Sequence, residues 1–157
     1  MSLCPCKSGK NYASCCQPMI QGKQTAQTAL QLMSSRYSAF ALGNSQYLLD
    51  TWHSEFRPES LALDPTIHWI NLQIIESSVS NSNSAIVHFR AYSLIKDQLS
   101  ILEEKSNFEK VNKQWFYTNG ELSPNQNKKI SRNASCPCGS GKKFKRCCYQ
   151  QKLQKRL

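Results

Sequence analysis

The chain has no cysteine between Cys16 and Cys136, no acidic residue in residues 1–23 or 128–157, and no long apolar run. A membrane helix needs about 18 or more consecutive apolar residues, so the missing run excludes a helical span. The first residues, Met1-Ser2-Leu3-Cys4, lack the apolar stretch and cleavage pattern of an export signal, which predicts a reducing, cytoplasmic setting. Only three histidines occur, and no Ser-His-Asp order, phosphate loop or carboxylate pair stands out. The chain therefore announces no enzyme class, and the reading leans away from catalysis.

What the middle lacks, the ends hold. All eight cysteines fall in two clusters of one spacing, C-x-C-x8-C-C: Cys4, Cys6, Cys15 and Cys16, then Cys136, Cys138, Cys147 and Cys148. A C-x-C pair offers two thiolates from one tight turn, and eight residues let the chain return with two more. Four sulfurs at about 2.3 Å complete the tetrahedron of a structural zinc, with no open position for catalytic water. Disulfides are the alternative, but they need an oxidising compartment. An iron–sulfur cluster also takes four thiolates; the compact turn favours a single ion. The expected cofactor is zinc, one or two ions.

Four thiolates on one zinc leave a charge near −2. Lys142, Lys143, Lys145 and Arg146 lie inside the second loop and offset it, whereas the first loop has Lys7 and Lys10. Gly139-Ser140-Gly141 supplies the sharp reversal that glycine permits. Lys7 stands where Gly139 stands in the second copy, so the first turn is strained or of another type.

Charge divides the chain as sharply as cysteine does. Residues 1–23 hold three lysines, residues 24–127 hold seven basic and ten acidic residues, and residues 128–157 hold ten basic residues. The excess is a property of the C-terminal end. Lys142, Lys143, Lys145 and Arg146 are candidate contacts for an anionic partner: an acidic protein, a ribosome surface or nucleic acid. No regular interleaving of aromatics marks a stacking platform. A merely solvating tail is the plainer alternative.

The middle reads as helices followed by a meander. Ala26, Ala29, Leu30, Met33, Tyr37, Phe40 and Ala41 form an apolar stripe, which predicts a helix over 25–42, capped by Thr25 and ended by Gly43. A short helix over 45–52 turns Tyr47, Leu48, Leu49 and Trp52 inward. Strands are expected over 66–75, 85–95, 100–111 and 114–118, with Val87, Phe89 and Ala91 on one face and His88, Arg90 and Tyr92 on the other. This predicts an α+β fold, helices packed on a curved antiparallel sheet and flanked by small zinc knobs. The division is an N-terminal knob over 1–22, a central domain over 23–122, a polar linker over 123–134, and a C-terminal knob with a basic tail over 135–157. A cavity in the central domain would draw on Arg36, Tyr37, Trp52, His53 and Glu104. Glu104 shares a strand face with Leu102 and Phe108, where burial would raise its pKa and suit a general base. Ordinary packing and ion-pair roles are the plainer reading of each.

The cysteine clusters resemble the SEC-C motif, the zinc module at the tail of the protein-export motor SecA, where the last ligand pair is Cys-His rather than the Cys-Cys found here. The middle resembles the YchJ-like bacterial family in Leu32-Met33-Ser34-Ser35-Arg36-Tyr37-Ser38-Ala39-Phe40, Thr51-Trp52-His53, Glu104-Lys105-Ser106-Asn107-Phe108 and Trp115-Phe116-Tyr117. Ser34 stands where that family often has Arg. The resemblance implies a central domain of the nuclear transport factor 2-like fold, which hosts isomerases, dehydratases and pure binding proteins alike, so it assigns no chemistry. It also implies that the eight cysteines are zinc ligands and, by analogy with the SecA tail, that the knobs are interaction devices. Three functions follow: an adaptor with basic zinc knobs, a small-molecule enzyme or carrier using the central cavity, or a scaffold whose zinc knobs are purely structural.

Overall fold

A computed structural model describes residues 2–154. The last three residues of the predicted basic tail lie outside the described residues. After the first cysteine cluster come α1 (Gln17–Ile20), α2 (Ala29–Leu42) and α3 (Ser45–Asp50). Five strands follow: β1 (His68–Asn81), β2 (Ser84–Ile95), β3 (Gln98–Val111), β4 (Gln114–Leu122) and β5 (Gln126–Lys129). α4 (Cys148–Gln154) ends the described chain.

α2 starts later than its apolar stripe suggests. Thr28, not Thr25, is the cap: its hydroxyl accepts from the Gln31 N–H at 3.1 Å. Gly43 ends the helix in the left-handed region at φ 73°. The buried set is broader than one stripe and includes Leu32, Ser35, Arg36, Ser38 and Ala39. α2 is covered on several sides: α3 packs on it through Leu48, the sheet through Met33 and Tyr37, and the N-terminal knob through Ser38. Amphipathic spacing finds only one covered face.

The sheet is an open antiparallel meander in the order β1-β2-β3-β4. Its inner face carries Leu72, Ala85, Val87, Phe89, Ala91 and Phe108, which pack with Leu32, Met33 and Tyr37 of α2. β5 is a departure from expectation. The polar stretch 123–134 is not all linker, because Gln126–Lys129 pairs with Gln98–Ile101 of β3. An exposed polar strand held by backbone bonds to an edge carries no side-chain alternation to betray it.

Register shifts interrupt β1 between Trp69 and Asn71, between Ile74 and Glu76, and between Val79 and Asn81. Such bulges bend a strand and re-aim its side chains. The first turns Trp69 inward, opposite Ser93, while Asn71 stands opposite Tyr92 on the outer face. Ile70 joins that outer side, in a cluster with Leu94 and Leu99. Strand alternation would expose one of Ser93 and Leu94, yet both are buried. The C-terminal knob caps the outer face there.

Candidate metal centres

Both cysteine clusters fold into the same hairpin. In the first, Cys4 N–H donates to Lys10 O at 2.8 Å, Lys7 N–H to Cys4 O at 3.1 Å, and Tyr12 N–H to Ser2 O at 3.0 Å. The second repeats each bond: Cys136 to Lys142 at 2.8 Å, Gly139 to Cys136 at 3.2 Å, and Phe144 to Ala134 at 2.8 Å. A single 3-10 turn, Tyr12–Ser14 or Phe144–Arg146, then delivers the final cysteine pair. Lys7 does not change the turn type. It adopts φ 65° where Gly139 adopts 80°, so the lysine is held in the left-handed region. That conformation costs a non-glycine residue about 1–2 kcal/mol.

The four sulfurs of each cluster all lie within 4.8 Å of one another. A tetrahedral ion with sulfur at about 2.3 Å sets sulfur–sulfur edges of about 3.8 Å. Cys6–Cys15 and Cys15–Cys16 measure 3.7 and 3.9 Å, and Cys138–Cys147 measures 3.5 Å. None of the eight is disulfide-bonded. Ser8 and Ser140 occupy the same place in the two copies and set a hydroxyl 3.3 and 3.2 Å from the sulfurs of Cys15 and Cys147.

Ionisation supports the same fit. Hydrogen bonding from Cys16 holds the Cys6 thiol down at about 4, against the opposing effect of burial, and Cys16 is pushed up in return. Burial opposes ionisation of Cys138, but hydrogen bonds from the Ser140 hydroxyl and backbone N–H, Cys136 and Cys147 together outweigh it and hold that thiol at about 6. Burial raises Cys15, Cys136 and Cys148. Each cage thus accepts one negative charge readily and resists the next. A cation at its centre removes that resistance, and ligand thiols must ionise to bind one. The residues present fit a single tetrahedral metal ion in each cage.

The cages differ in what surrounds them. Cys4, Cys6 and Cys16 belong to the main core with Ala29, Leu32 and Tyr37, and the Cys4 sulfur lies 3.6 Å from the Ser38 hydroxyl of α2. An open groove of about 870 Å³ runs along one side of this contact, with Cys15, Lys10, Lys23 and Gln31 on its walls. Cys136 and Cys148 pack with Phe144 against Ile70, Leu94 and Leu99. The Asn71 side-chain amide donates to Pro137 O at 3.2 Å, and Lys152 reaches Asp97 at 2.9 Å. Lys142, Lys143 and Arg146 are exposed on this knob and Lys145 is half-buried; Lys128, Lys129 and Arg132 are exposed beside it.

The five residues proposed for a central cavity do not share one place. Arg36 is 4% exposed and donates to Leu48 O and the Thr51 hydroxyl, both at 2.7 Å. Its guanidinium lies 4.6 Å from the Tyr117 ring and 5.5 Å from the Trp52 ring. Burial pulls it down to about 10, with Tyr117, Tyr47 and Glu104 pulling back. Glu104 accepts from the hydroxyls of Tyr117 and Ser106, each at 2.8 Å, and a Cβ on Gly120 would overlap its carboxylate. Arg36, Trp52 and Glu104 therefore converge on Tyr117, with Arg36 buried and the other three half-buried, and the groove beside the N-terminal knob is lined by other residues. Tyr37 turns to Trp69, at 6.0 Å between rings. His53 sits between Phe56 and Phe116 and faces Glu109 at 3.7 Å. Tyr117, Ser38 and Asn71 were not foreseen as site residues. The paired serines were visible in the repeat itself, had its two copies been laid over each other.

Fold and cages together define a SEC-C motif protein built around a nuclear transport factor 2-like domain. The SEC-C motif model matches residues 2–18 and 132–150, and the model of the YchJ middle NTF2-like domain matches residues 28–120. A UPF0225 protein of Photorhabdus laumondii is 41% identical over 158 residues, covering 93% of this chain and 98% of the relative. One from Sodalis glossinidius is 40% identical, covering 95% and 99%. The chain belongs to this YchJ family, UPF0225. Among solved structures, a SEC-C motif containing protein from Rhodopseudomonas palustris is similar at TM-score 0.69 and 28% identity, covering 77% of this chain and 98% of that one. Another, from Psychrobacter arcticus, is similar at TM-score 0.63 and 29% identity, covering 94% and 95%.

Proposed function

We propose that this is a cytoplasmic, non-enzymatic zinc protein whose two ions hold the chain ends against the domain, and whose C-terminal knob offers a basic surface to an anionic partner. Zinc suits four thiolates on edges near 3.8 Å in a closed tetrahedron. Multi-iron clusters hold their cysteines farther apart. The partner is an acidic protein, a ribosome surface or nucleic acid. One observation carries the partner reading: Lys128, Lys129, Arg132, Lys142, Lys143 and Arg146 are exposed on one continuous segment that contains no acid. The docking of the knob by Asn71 and Phe144 supports it, because a fixed platform loses little entropy when it binds. The packing of Arg36 under Tyr117 and Trp52 weighs against the enzymatic alternative.

The test is fluorescence anisotropy with a labelled oligonucleotide and with labelled polyglutamate, at rising sodium chloride. Affinity should fall steeply with salt. Replacing Lys142, Lys143, Lys145 and Arg146 by Gln should flatten the slope. Affinity indifferent to salt, or unchanged by the fourfold variant, would contradict the reading.

A further inference from the structure

The two cages are far apart in sequence, yet a short packed path joins them. The Cys4 sulfur lies 3.6 Å from the Ser38 hydroxyl. Tyr37, the residue of α2 just before it, meets Trp69 edge-on at 6.0 Å. The bulge after Trp69 sends Ile70 and Asn71 to the outer face. There Ile70 packs in the cluster of Cys136, Phe144 and Cys148, and Asn71 donates to Pro137 O between two ligands of the second cage. Metal binding by a module this small is coupled to its folding, so each knob would order with its ion. Ordering either knob therefore presses on the same strand segment, residues 69–71, from one side or the other.

From this geometry we infer that the two metal sites are thermodynamically coupled: filling one cage raises the affinity of the other, through Tyr37 and the bulged segment of β1. The inference rests on the reading of both clusters as metal sites. Tyr37 packs in the cluster that holds Cys4, Cys6 and Cys16, and its ring meets Trp69, the neighbour in β1 of the Ile70 that packs with Cys136 and Cys148. The Tyr37 hydroxyl is buried without a hydrogen-bond partner. Tyr37 is a positioning residue here. Its ring carries the contact, and its hydroxyl is dispensable.

Coupling between sites must be reciprocal. The experiment uses the full-length chain and zinc alone, with a chromophoric chelator as competitor. Zinc affinity of the first cage is measured with and without the double substitution Cys136→Ser/Cys138→Ser. Affinity of the second is measured with and without Cys4→Ser/Cys6→Ser. Both should weaken by the same factor, on the order of tenfold. Tyr37→Phe should keep that factor, and Tyr37→Ala should bring it close to one while both cages still bind. A metal signal from each cage in wild-type chain, read by cadmium-113 resonances, guards against variants that fail to fold. With one equivalent of cadmium the coupled protein holds an excess of empty and doubly filled molecules over the independent-site expectation. Two filled cages with unequal or absent effects on each other would overturn the coupling alone. No binding at either cage would overturn the metal reading and the coupling together.

Discussion

The two knobs share a spacing, a hydrogen-bond pattern and a pair of serines set against equivalent sulfurs, but they sit in different surroundings. The first is part of the main core, with three of its sulfurs buried beside α2. The second caps the outer face of the sheet and keeps its cations in solvent. Local sequence builds the cage, while the surface around it decides its consequence. The first cage should govern stability, and the second should govern charge-dependent contacts.

The sharpest way to break this comparison is to remove one ligand from each knob. Cys16→Ser should destabilise the domain by about 4 kcal/mol or more, in the range of mutations that abolish a metal site. Cys148→Ser should unfold its own knob and leave more of the domain melting unchanged. Equal effects on thermal unfolding would mean that both cages are equally part of one core.

Next in size is the aromatic that opens each 3-10 turn. Phe144 is 2% exposed and stacks edge-on with Tyr149 at 5.6 Å, so Phe144→Ala should cost the ordering of its own knob about 3–5 kcal/mol, read by hydrogen exchange of the knob's backbone amides. Tyr12, half-buried at the same place in the first knob, should cost about 1 kcal/mol when truncated. Reversal of that order would show that the second knob is loosely docked.

A smaller exchange tests the turn itself. Lys7→Gly should stabilise by about 1 kcal/mol, since glycine accepts φ 65° freely, and Gly139→Lys should cost about as much. Opposite signs would mean that the Lys7 side chain makes an offsetting contact. Smallest of all is Asp97→Asn, which removes the carboxylate facing Lys152. With Asp97 largely in solvent, about 0.5 kcal/mol is expected.

Much of this was legible in the residues. Sequence spacing located all eight cage cysteines, and period-two alternation assigned the faces of Val87, Phe89 and Ala91 and of Leu102, Glu104 and Phe108. What stayed hidden depended on a third dimension. Arg36 stood as a candidate for a central cavity, but α3 and β4 close over it. Ser38 and Asn71 are ordinary polar residues until a knob lies beside them. β5 has no apolar pattern, because its pairing is made by backbone alone. The knobs read as appendages, yet Cys4, Cys6 and Cys16 contribute to the main core, which no spacing rule reveals.

Native mass spectrometry of the freshly purified full-length chain, before and after a strong chelator, tests the central claim most directly. The account predicts two zinc ions per chain and eight reduced thiols, with both ions lost on chelation. A chain that carries no ion and weighs four disulfides less in hydrogen would contradict it.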